Sequence, residues 1–350
     1  MQHDGLQFHN VAEMRTVPDR DGELLQRVPE DVREGLNEGA RDRMCHPSGV
    51  EIRFVPEGTV EVTLSTRPQR GVTHGTVEVF WGPFQGRRGL DDMETFEVGP
   101  EPTTIEVEFP DRLGDIRDEH VADLPFDPRV CRLRLPGEHR GGHVFYHGAD
   151  GDYRTPGADE LPDRRYLAYG TSITEGESPS AEHLNYATQT ATRLDADLFN
   201  LGSCGTAYAD AAMADHIAER DDWDVATLAL SVNMVGTFSV AEFRERAEYM
   251  VNTVAGENPE KPVAAVTIYT NARDVCEGVD EDDECEAFRA ALRDVVAESP
   301  HDNLHLVEGR EVLDTLVGLT PDLVHPGDDA MIRMGENLAG ELDALLEGER

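Results

Sequence analysis

The spacing of the apolar residues changes part-way along this chain. Between about residues 50 and 146, apolar and polar residues alternate in four runs, which are 60–66, 76–80, 104–109 and 130–135. Such alternation buries one face of a strand and leaves the other in water, which favours an antiparallel sheet or sandwich. Segments rich in glycine and proline at 56–58, 82–83, 99–100 and 136–137 predict turns that separate the runs. We therefore predict an all-β sandwich of jelly-roll type in this part of the chain.

Beyond residue 160, short apolar runs alternate with longer patterns of helical spacing. The predicted strands are 166–169, 198–201, 226–231, 263–269 and 304–307. The predicted helices are 183–194, 208–219, 240–254, 284–297 and 328–346. Alternation of strands and helices builds a parallel sheet that is covered by helices on both faces. The second part of the chain is therefore predicted to be an α/β domain.

A polar segment at 148–157, rich in glycine and aspartate, separates these two patterns. We interpret it as a linker, because glycine and polar residues over several positions are typical of loops. A chain of 350 residues is also longer than one compact core usually takes. The sequence therefore predicts a sandwich domain over 1–155 and an α/β domain over 160–350. A short helical stretch at 29–43 is expected to cap the sandwich.

The chain is strongly acidic, with 71 acidic and 31 basic residues and a formal net charge of −40. The acidic residues occur along the whole chain, and Lys261 is its only lysine. Self-repulsion of this size destabilises a compact state in dilute buffer and is screened by salt. We therefore expect a solvated surface suited to a very salty cytosol, as in halophilic archaea; the alternative is an acidic face that binds a basic partner. Nucleic acid is disfavoured as a partner, because phosphate binding needs basic patches.

Neither a targeting segment nor a membrane span is predicted. The first ten residues, MQHDGLQFHN, contain no basic and no apolar targeting region. No run approaches the ~18 apolar residues that a membrane span needs, so we expect a cytoplasmic protein. The five cysteines are odd in number and irregularly spaced, which predicts neither a disulfide framework nor a zinc site. No metal and no organic cofactor is expected.

The residues that can carry chemistry follow predicted strands, where ligands of an open parallel sheet bind. Ser172 lies just past the first strand, after Gly170, and is a candidate nucleophile if a base lies within hydrogen-bond reach. Its alternative role is to cap the next helix. His325 and Asp322, three residues apart before the last helix, can supply that base and the carboxylate that orients it. The alternative is a surface pair of side chains without a catalytic role.

The loops after the second and third strands contain candidate donors for an oxyanion. Gly202 can offer its backbone N–H, and the side-chain amide of Asn233 can donate to the same charge. Each has a simpler interpretation, an ordinary strand-to-helix turn for Gly202 and a turn-starting asparagine for Asn233. Ser203 and Cys204 are rival nucleophiles, although no separate base is placed for them. The elbow G-x-S-x-G of α/β-hydrolases is absent.

Four segments resemble sequence blocks of the SGNH/GDSL hydrolase superfamily. Segment 169–174, Tyr-Gly-Thr-Ser-Ile-Thr, resembles the first block, and 200–205, Asn-Leu-Gly-Ser-Cys-Gly, resembles the second, whose glycine is Gly202. Segment 231–233, Ser-Val-Asn, resembles the third, with Ser231 and Met234 in place of its glycine and aspartate. Segment 322–325, Asp-Leu-Val-His, resembles the fifth block, D-x-x-H, and is the most specific piece. The resemblance covers roughly 165–347.

This resemblance implies a flavodoxin-like, three-layer α/β/α SGNH hydrolase domain. It also implies that Ser172 is the nucleophile, that His325 is the base and that Asp322 orients the base. The oxyanion hole would then consist of the backbone N–H groups of Ser172 and Gly202 and the side-chain amide of Asn233. Segment 41–50 and the strands after it resemble the jelly-roll domain that precedes some SGNH domains.

The proteins with that domain order include polyketide-tailoring acyltransferases and carbohydrate acetyl esterases. The resemblance therefore implies a serine esterase that cleaves a small-molecule ester, with acylated carbohydrates among the candidates, through an acyl-serine intermediate. The alternatives are an acyltransferase that passes the acyl group to an alcohol, and a carbohydrate-binding protein with a degenerate catalytic domain. Trp81, Phe84, His143 and His147 are either residues that face the active rim or, more simply, core and surface residues of the sandwich.

Overall fold

The computed structural model describes residues 1–67, 69, 72–89, 92–137, 142–230, 232–277 and 282–348. Ser231, which the resemblance places in the third block, lies outside the described residues. The chain divides into two compact units. The first unit comprises Met1–Pro29, Met44–Asp163 and Asp195–Asp197, and the second comprises Glu30–Arg43, Arg164–Leu194 and Leu198–Arg350. The domain limits at 155 and 160 stay a prediction.

The strands of the two units are numbered in chain order. Those of the antiparallel part are β1 (Gln2–His3), β2 (Leu6–His9), β3 (Glu13–Val17), β4 (Arg20–Gln26), β5 (Glu51–Arg67), β6 (Gly75–Trp81), β7 (Phe84–Gln85), β8 (Arg87–Arg88), β9 (Asp92–Met93), β10 (Thr95–Val98), β11 (Thr103–Val107), β12 (Cys131–Arg134) and β13 (His143–Arg154). Those of the parallel sheet are β14 (Arg164–Tyr169), β15 (Ala196–Asn200), β16 (Val225–Ala229), β17 (Val263–Val266) and β18 (Leu304–Val307).

The helices are also numbered in chain order. They are α1 (Glu30–Gly35), α2 (Glu38–Arg43), α3 (Asp118–Val121), α4 (Ser172–Glu175), α5 (Tyr186–Arg193), α6 (Ala211–Glu219), α7 (Val240–Glu257), α8 (Ala272–Val275), α9 (Asp282–Glu298), α10 (Gly309–Val312) and α11 (Asp328–Gly348). Short 3-10 helices lie at Asp111–Asp115, Ala158–Glu160 and Glu182–Leu184. Among the helices of the described chain, none combines the length and the apolar character that crossing a membrane needs.

The first unit is a sandwich of antiparallel strands in which the 17-residue strand β5 takes part in both sheets. Residues 51–54 of β5 pair with β12, and β12 pairs in turn with β6. Residues 60–64 of β5 pair with β11 on one side and with β13 on the other. Segment 56–58 is therefore not a turn between strands; it lies within β5, where Pro56 pairs with Tyr153 of β13. The predicted jelly-roll sandwich is confirmed, with one long strand where the glycine and proline pattern indicated a break.

Side chains that alternate inward along these strands form one hydrophobic cluster. Its fully buried members include Phe8, Ile52, Phe54, Val62, Leu64, Val79 and Leu133. Trp81 belongs to this cluster, so it is a core residue of the sandwich. His143 is buried and lies 2.9 Å from the side-chain nitrogen of Gln69, whereas Phe84 is 38% exposed. The simpler interpretation of these side chains, as core and surface residues, fits their surroundings within the first unit.

A buried carboxylate on β5 is surrounded by arginines. Glu51 is 5% exposed, and its oxygens accept hydrogen bonds from Arg53 at 2.7 Å and from two nitrogens of Arg132 at 2.8 and 2.7 Å. The Nε of Arg134 lies 3.2 Å from Glu51 Oε1. Burial by itself raises the pKa of Glu51, but the three positive charges outweigh it and hold that pKa well below its ordinary value. The carboxylate therefore stays ionised inside the sandwich.

The glycine-rich segment 148–157, which the sequence predicts to be a linker, is largely a strand. β13 continues through Arg154 and pairs with β5 along this stretch. The pairing is irregular between Tyr146 and Gly148 and between Gly151 and Tyr153. Gly148 and Gly151 have φ values of +135° and +116°, which only glycine adopts easily. The glycines therefore allow irregular strand pairing within β13. Composition alone does not distinguish such a strand from a loop.

The parallel sheet of the second unit has the strand order β15-β14-β16-β17-β18. In order of sequence this is 2-1-3-4-5, the flavodoxin-like arrangement, and the pairs β14–β16, β16–β17 and β17–β18 are parallel. Helices α6, α7 and α9 pack in series, and α5 packs on α11. The predicted three-layer α/β/α fold is confirmed. The strand order changes direction at β14, which places a ligand crevice beyond its carboxyl end.

The helical stretch 29–43 forms α1 and α2, and both belong to the second unit. The expectation that it caps the sandwich is therefore corrected. Helix α1 packs against α6, and a Cβ on Gly35 would lie 2.8 Å from the Cβ of Ala212. Asn37, between the two helices, donates its side-chain amide to Asp210 Oδ2 at 2.6 Å. These contacts link residues more than 170 positions apart, so no local pattern could have indicated them.

Candidate active site

Ser172 is the first residue of α4, directly beyond the carboxyl end of β14. Its side chain is buried, with 5% of the residue exposed. The chain turns tightly from strand to helix at Gly170, where a Cβ would collide with Thr174 Oγ1. The backbone N–H of Ser172, at the start of the helix, donates to no acceptor among the described residues. Both the hydroxyl and this N–H therefore stand at the crevice that the strand order predicts.

His325 brings its ring to the Ser172 hydroxyl. Its Nε2 lies 2.9 Å from Ser172 Oγ, across 153 positions of sequence. The loop before α11 is closed by hydrogen bonds from Thr320 N to His325 O at 2.8 Å and from Gly327 N to Gly318 O at 2.7 Å. This loop holds the imidazole of His325 next to Ser172, although the two residues are 153 positions apart in the sequence.

Asp322 holds the other ring nitrogen. Its Oδ2 lies 2.6 Å from His325 Nδ1. Its second oxygen, Oδ1, accepts hydrogen bonds from Thr320 Oγ1 at 2.7 Å, from Val324 N at 2.8 Å and from His325 N at 3.0 Å. Partial burial raises the pKa of Asp322, but the hydrogen bonds from His325, Thr320 and Val324 outweigh it and hold the pKa well below its usual range. The carboxylate is therefore charged, and Nδ1 is the nitrogen that carries a proton.

The second loop lies against α4, and this contact accounts for Gly202. A Cβ on Gly202 would collide with the backbone nitrogen of Glu175, and it would lie 2.6 Å from the Glu175 Cα. The Gly202 N–H donates to Asn200 Oδ1 at 2.8 Å. Asn200 in turn donates its amide to Thr174 O at 2.7 Å. The role that the sequence predicts for the Gly202 N–H, an oxyanion donor, therefore needs correction, because this group already has an acceptor.

Gly205, three residues further on, has the properties that Gly202 lacks. It is exposed and has a φ of +68°, in the left-handed region that favours glycine. Apart from its two chain neighbours, no described residue has an atom within 4 Å of the place where its Cβ would stand. Its N–H donates to no acceptor in the described part of the chain. The second loop thus offers a different backbone N–H from the one that the resemblance indicates.

Asn233 lies in the loop after β16, partly exposed. Its Oδ1 accepts a hydrogen bond from the backbone N–H of Ala207 at 3.3 Å. Because the oxygen is held in this way, the amide nitrogen is the end of the side chain that can donate elsewhere. The contact also ties the third loop to the second.

The segment 163–342, just over half of the chain, matches the model of the GDSL-like lipase/acylhydrolase family. The chain belongs to this family. It is a hydrolase of the SGNH type, as the four sequence blocks indicated. No curated protein sequence is similar enough to this chain to count as a match.

Three solved structures resemble this GDSL-like hydrolase along nearly its whole length. The salicylyl-acyltransferase SsfX3 from a tetracycline biosynthetic pathway has a TM-score of 0.70 and 16% identity, over 97% of this chain and 95% of its own. A protein described as a GDSL-like lipase from Bacteroides ovatus has a TM-score of 0.67 and 16% identity, over 98% of both chains. A family two carbohydrate esterase from Cellvibrio japonicus has a TM-score of 0.63 and 13% identity, over 99% and 96%. At these identities the likeness shows the fold alone.

Two acidic residues that no sequence pattern indicated, Glu175 and Glu177, lie near the site of the GDSL-like hydrolase. Glu177 Oε2 lies 3.3 Å from His325 Nε2 and 3.2 Å from Cys204 Sγ. Glu175 Oε2 accepts a hydrogen bond from the Cys204 N–H at 2.5 Å. Both follow the nucleophile candidate within five residues, but the sequence gives no signal that separates them from other acids of this chain. The rival nucleophile Ser203 shares a 2.7 Å hydrogen bond with Thr206 Oγ1.

A small apolar cleft opens beside Ser172 in the GDSL-like domain. Thr171 and Ile173, the two neighbours of Ser172, line it together with Val324, the neighbour of His325. The remaining lining residues come from the end of β16 and from the loops after β16 and β17, and they are Ala229, Leu230, Val232, Thr267, Ile268, Tyr269, Thr270 and Asn271. The surface that lines the cleft is almost entirely apolar, and the cleft has room for little more than one water molecule.

Proposed function

We propose that this protein is a serine esterase that hydrolyses esters through an acyl intermediate on Ser172. The observation that carries this proposal is the chain of two hydrogen bonds, 2.9 Å from Ser172 Oγ to His325 Nε2 and 2.6 Å from His325 Nδ1 to Asp322 Oδ2. A serine hydroxyl is a weak nucleophile by itself and becomes effective when a base within hydrogen-bond reach removes its proton. Here the base is oriented by a charged carboxylate, which is the arrangement of a serine-hydrolase triad.

The reaction follows from the positions of these atoms. Ser172 Oγ attacks the ester carbonyl carbon while its proton passes to His325 Nε2. The carbonyl oxygen becomes an oxyanion, and Asp322 stabilises the imidazolium ion that forms. The same proton then passes from Nε2 to the oxygen of the departing alcohol, leaving the acyl group on Ser172. A water molecule repeats the sequence, giving up a proton to His325 and releasing the carboxylic acid and the free serine.

We assign three donors to the oxyanion: the backbone N–H groups of Ser172 and Gly205 and the side-chain amide of Asn233. Gly205 takes the place of Gly202, because the Gly202 N–H already donates to Asn200. The Ser172 and Gly205 N–H groups have no acceptor among the described residues, and Asn233 is held by its oxygen. Loss of one such donor costs about 3 kcal/mol of transition-state stabilisation in enzymes of this chemistry.

The substrate that we propose is a short acyl ester of a carbohydrate or of another small molecule. The apolar cleft lined by Thr171 and Ile173 has room for little more than one water molecule, which favours a short acyl group over a long one. The fold is shared with a carbohydrate esterase over nearly the whole of both chains, and this likeness supports a sugar as the alcohol part.

Transfer of the acyl group to an alcohol acceptor is the second candidate. The observation in its favour is the likeness to the salicylyl-acyltransferase SsfX3, which has a TM-score of 0.70. Both reactions share the acyl-serine intermediate and differ only in what attacks it. Incubation with a short acyl ester and with glycerol, glucose or methanol separates them. Acylated acceptor as the main product supports transfer, and free acid as the main product supports hydrolysis.

The proposal is tested by steady-state hydrolysis of 4-nitrophenyl acetate and of peracetylated xylose and glucose at molar salt. We expect turnover by the wild type and none above background by Ser172→Ala. Ser203→Ala is the matched control, since this serine is equally buried in the next loop and bonds Thr206 instead of a base. Retained turnover in Ser172→Ala, or loss of turnover only in Ser203→Ala, would refute the assignment. Absence of turnover by the wild type on every ester would refute the esterase proposal itself.

A further inference from the structure

Helices α1 and α2 hold the loop that contains Gly205, although they lie far outside the segment that matches the family. The family segment begins at residue 163, whereas α2 ends at Arg43. Both helices belong to the same compact unit as the loop. The family match therefore does not include every part of this chain that reaches the candidate active site.

Arg43 fixes the peptide unit that joins Cys204 to Gly205. Its side chain is buried, with 5% of the residue exposed, and its Nε donates to Cys204 O at 3.0 Å. In a trans peptide the C=O and the following N–H point in opposite directions. Since the Cys204 carbonyl points to the buried guanidinium, the Gly205 N–H points away from Arg43, towards the exposed side of the loop.

The preceding peptide unit is held from the other side. The Cys204 N–H donates to Glu175 Oε2 at 2.5 Å, and Glu175 belongs to the helix that begins with Ser172. Cys204 is thus anchored through its N–H to α4 and through its C=O to α2. Two anchors on consecutive peptide units leave the backbone little freedom to rotate between them.

Asn37 holds the loop one residue beyond Gly205. Its side-chain nitrogen donates to Thr206 O at 2.9 Å and to Asp210 Oδ2 at 2.6 Å, and its backbone N–H donates to Asp210 Oδ2 at 3.1 Å. Gly39, at the start of α2, approaches so closely that a Cβ there would collide with Thr206 Cγ2. Gly205 therefore lies between two residues whose backbone oxygens both accept hydrogen bonds from the α1–α2 segment.

We propose that Arg43 and Asn37 are positioning residues, which aim the Gly205 N–H at the oxyanion of the ester substrate. The inference rests on the proposed function and adds to it a part of the chain outside the family segment. Preorganised donors stabilise a transition state because they do not have to reorient as the charge develops. A loop without these anchors would still bind the neutral ester, and it would lose its alignment with the developing charge.

The expected signature is a fall in kcat with little change in KM, because only the transition state carries the charge. We expect Arg43→Gln and Asn37→Ala each to lower kcat by about tenfold or more and to leave KM within about twofold. Arg43→Lys keeps a donor for the Cys204 carbonyl and should recover part of the loss. Arg41→Gln is the matched control, since Arg41 is exposed on the same helix and donates to Leu36 O. It should retain the wild-type kcat.

The experiment measures kcat and KM on 4-nitrophenyl acetate, together with the melting temperature of each full-length variant. Folded Arg43→Gln and Asn37→Ala proteins with wild-type kcat would overturn the inference and leave the esterase proposal intact. If Arg43→Gln does not fold, the partly exposed Asn37 carries the test by itself. A rise in KM without a fall in kcat would also overturn it, because that result places the segment in substrate binding. An inactive wild type would instead refute the proposed function on which the inference rests.

Discussion

The Nδ1 of His325 lies 2.6 Å from Oδ2 of Asp322, which precedes it by three residues on one closed loop. The other carboxylate oxygen accepts hydrogen bonds from two backbone N–H groups of the same loop. The carboxylate of Asp322 therefore both stabilises the loop and orients the imidazole ring. Asp322→Asn should lower kcat by about 10²–10⁴-fold, because an amide can hold the ring in the wrong tautomer and does not stabilise the imidazolium. The control is Asp328→Asn, which changes an acid of the following helix that bonds Ser180.

The lowered pKa of Asp322 also sets the sign of its contribution to stability. A carboxyl whose folded pKa lies below its unfolded pKa stabilises the fold at all pH values above the unfolded value, about 4. That contribution is lost as the pH falls through the folded pKa. The stability difference between wild type and Asp322→Asn should therefore shrink as the pH falls below about 4. Urea unfolding at several pH values between 5 and 2 measures it, and a difference that stays unchanged across that range would contradict this account.

In Asn233, one substitution can distinguish the role of the side-chain oxygen from that of the side-chain nitrogen. Asn233→Asp keeps the oxygen that accepts from Ala207 and replaces the donor nitrogen with a second acceptor oxygen. We expect kcat to fall by about 10²-fold or more with KM little changed, since a lost oxyanion donor acts on the transition state. The kcat of Asn233→Ala should fall less than that of Asn233→Asp, because alanine removes the donor without placing a negative charge beside the oxyanion. If Asn233→Asp turned over ester at the wild-type rate, the side-chain amide would have no part in the oxyanion hole.

The sequence could predict which loops form the site, because a parallel sheet places these loops on one edge. Alternating strands and helices place every strand-to-helix loop on one rim, so Ser172 and His325 were expected near each other despite their separation. The predicted strand 304–307 coincides with β18, and the predicted start of 263–269 coincides with that of β17. In such a fold the short apolar runs can only be the buried strands, so their positions can be predicted closely from sequence.

The parts that sequence did not indicate depend on single long-range contacts. Which glycine of the second loop has an unbonded N–H is decided by the Asn200 side chain, not by the spacing of the glycines. Arg43 lies among several arginines near the N-terminus, and only the fold shows that it reaches Cys204. The continuation of β13 through Gly148 and Gly151 follows from its pairing with β5, which no local pattern reveals.

The carboxylate of Glu51 should be the most costly charge to remove from the sandwich. Glu51→Gln leaves three buried arginines without their shared negative partner, and breaking such a buried pair typically costs about 3–5 kcal/mol. Glu61→Gln is the matched control, because Glu61 is exposed on the same strand. Chemical denaturation of both variants measures the loss. If the Glu51→Gln protein were as stable as Glu61→Gln, the prediction would be wrong, and other partners would be sufficient to stabilise the three arginines.

The net charge of −40 predicts a protein whose stability rises with salt. Repulsion among the acidic side chains is screened as the Debye length falls from about 10 Å at 0.1 M to about 3 Å at 1 M salt. The melting temperature should therefore increase between 0.1 and 2 M KCl. Sucrose at matched osmolality is the control, since it strengthens burial without screening charge. Equal stabilisation by sucrose and KCl, or none by KCl, would contradict an electrostatic cause.

The central claim, that Ser172 is the residue acylated during turnover, is tested most directly by labelling with a fluorophosphonate at molar salt. Trypsin releases residues 166–193 as one peptide, and its mass reports the modification. We predict one label per chain, on Ser172 in this peptide, with loss of ester turnover in proportion to labelling and no label in Ser172→Ala. A label on another residue, or full turnover by protein labelled at Ser172, would contradict the account.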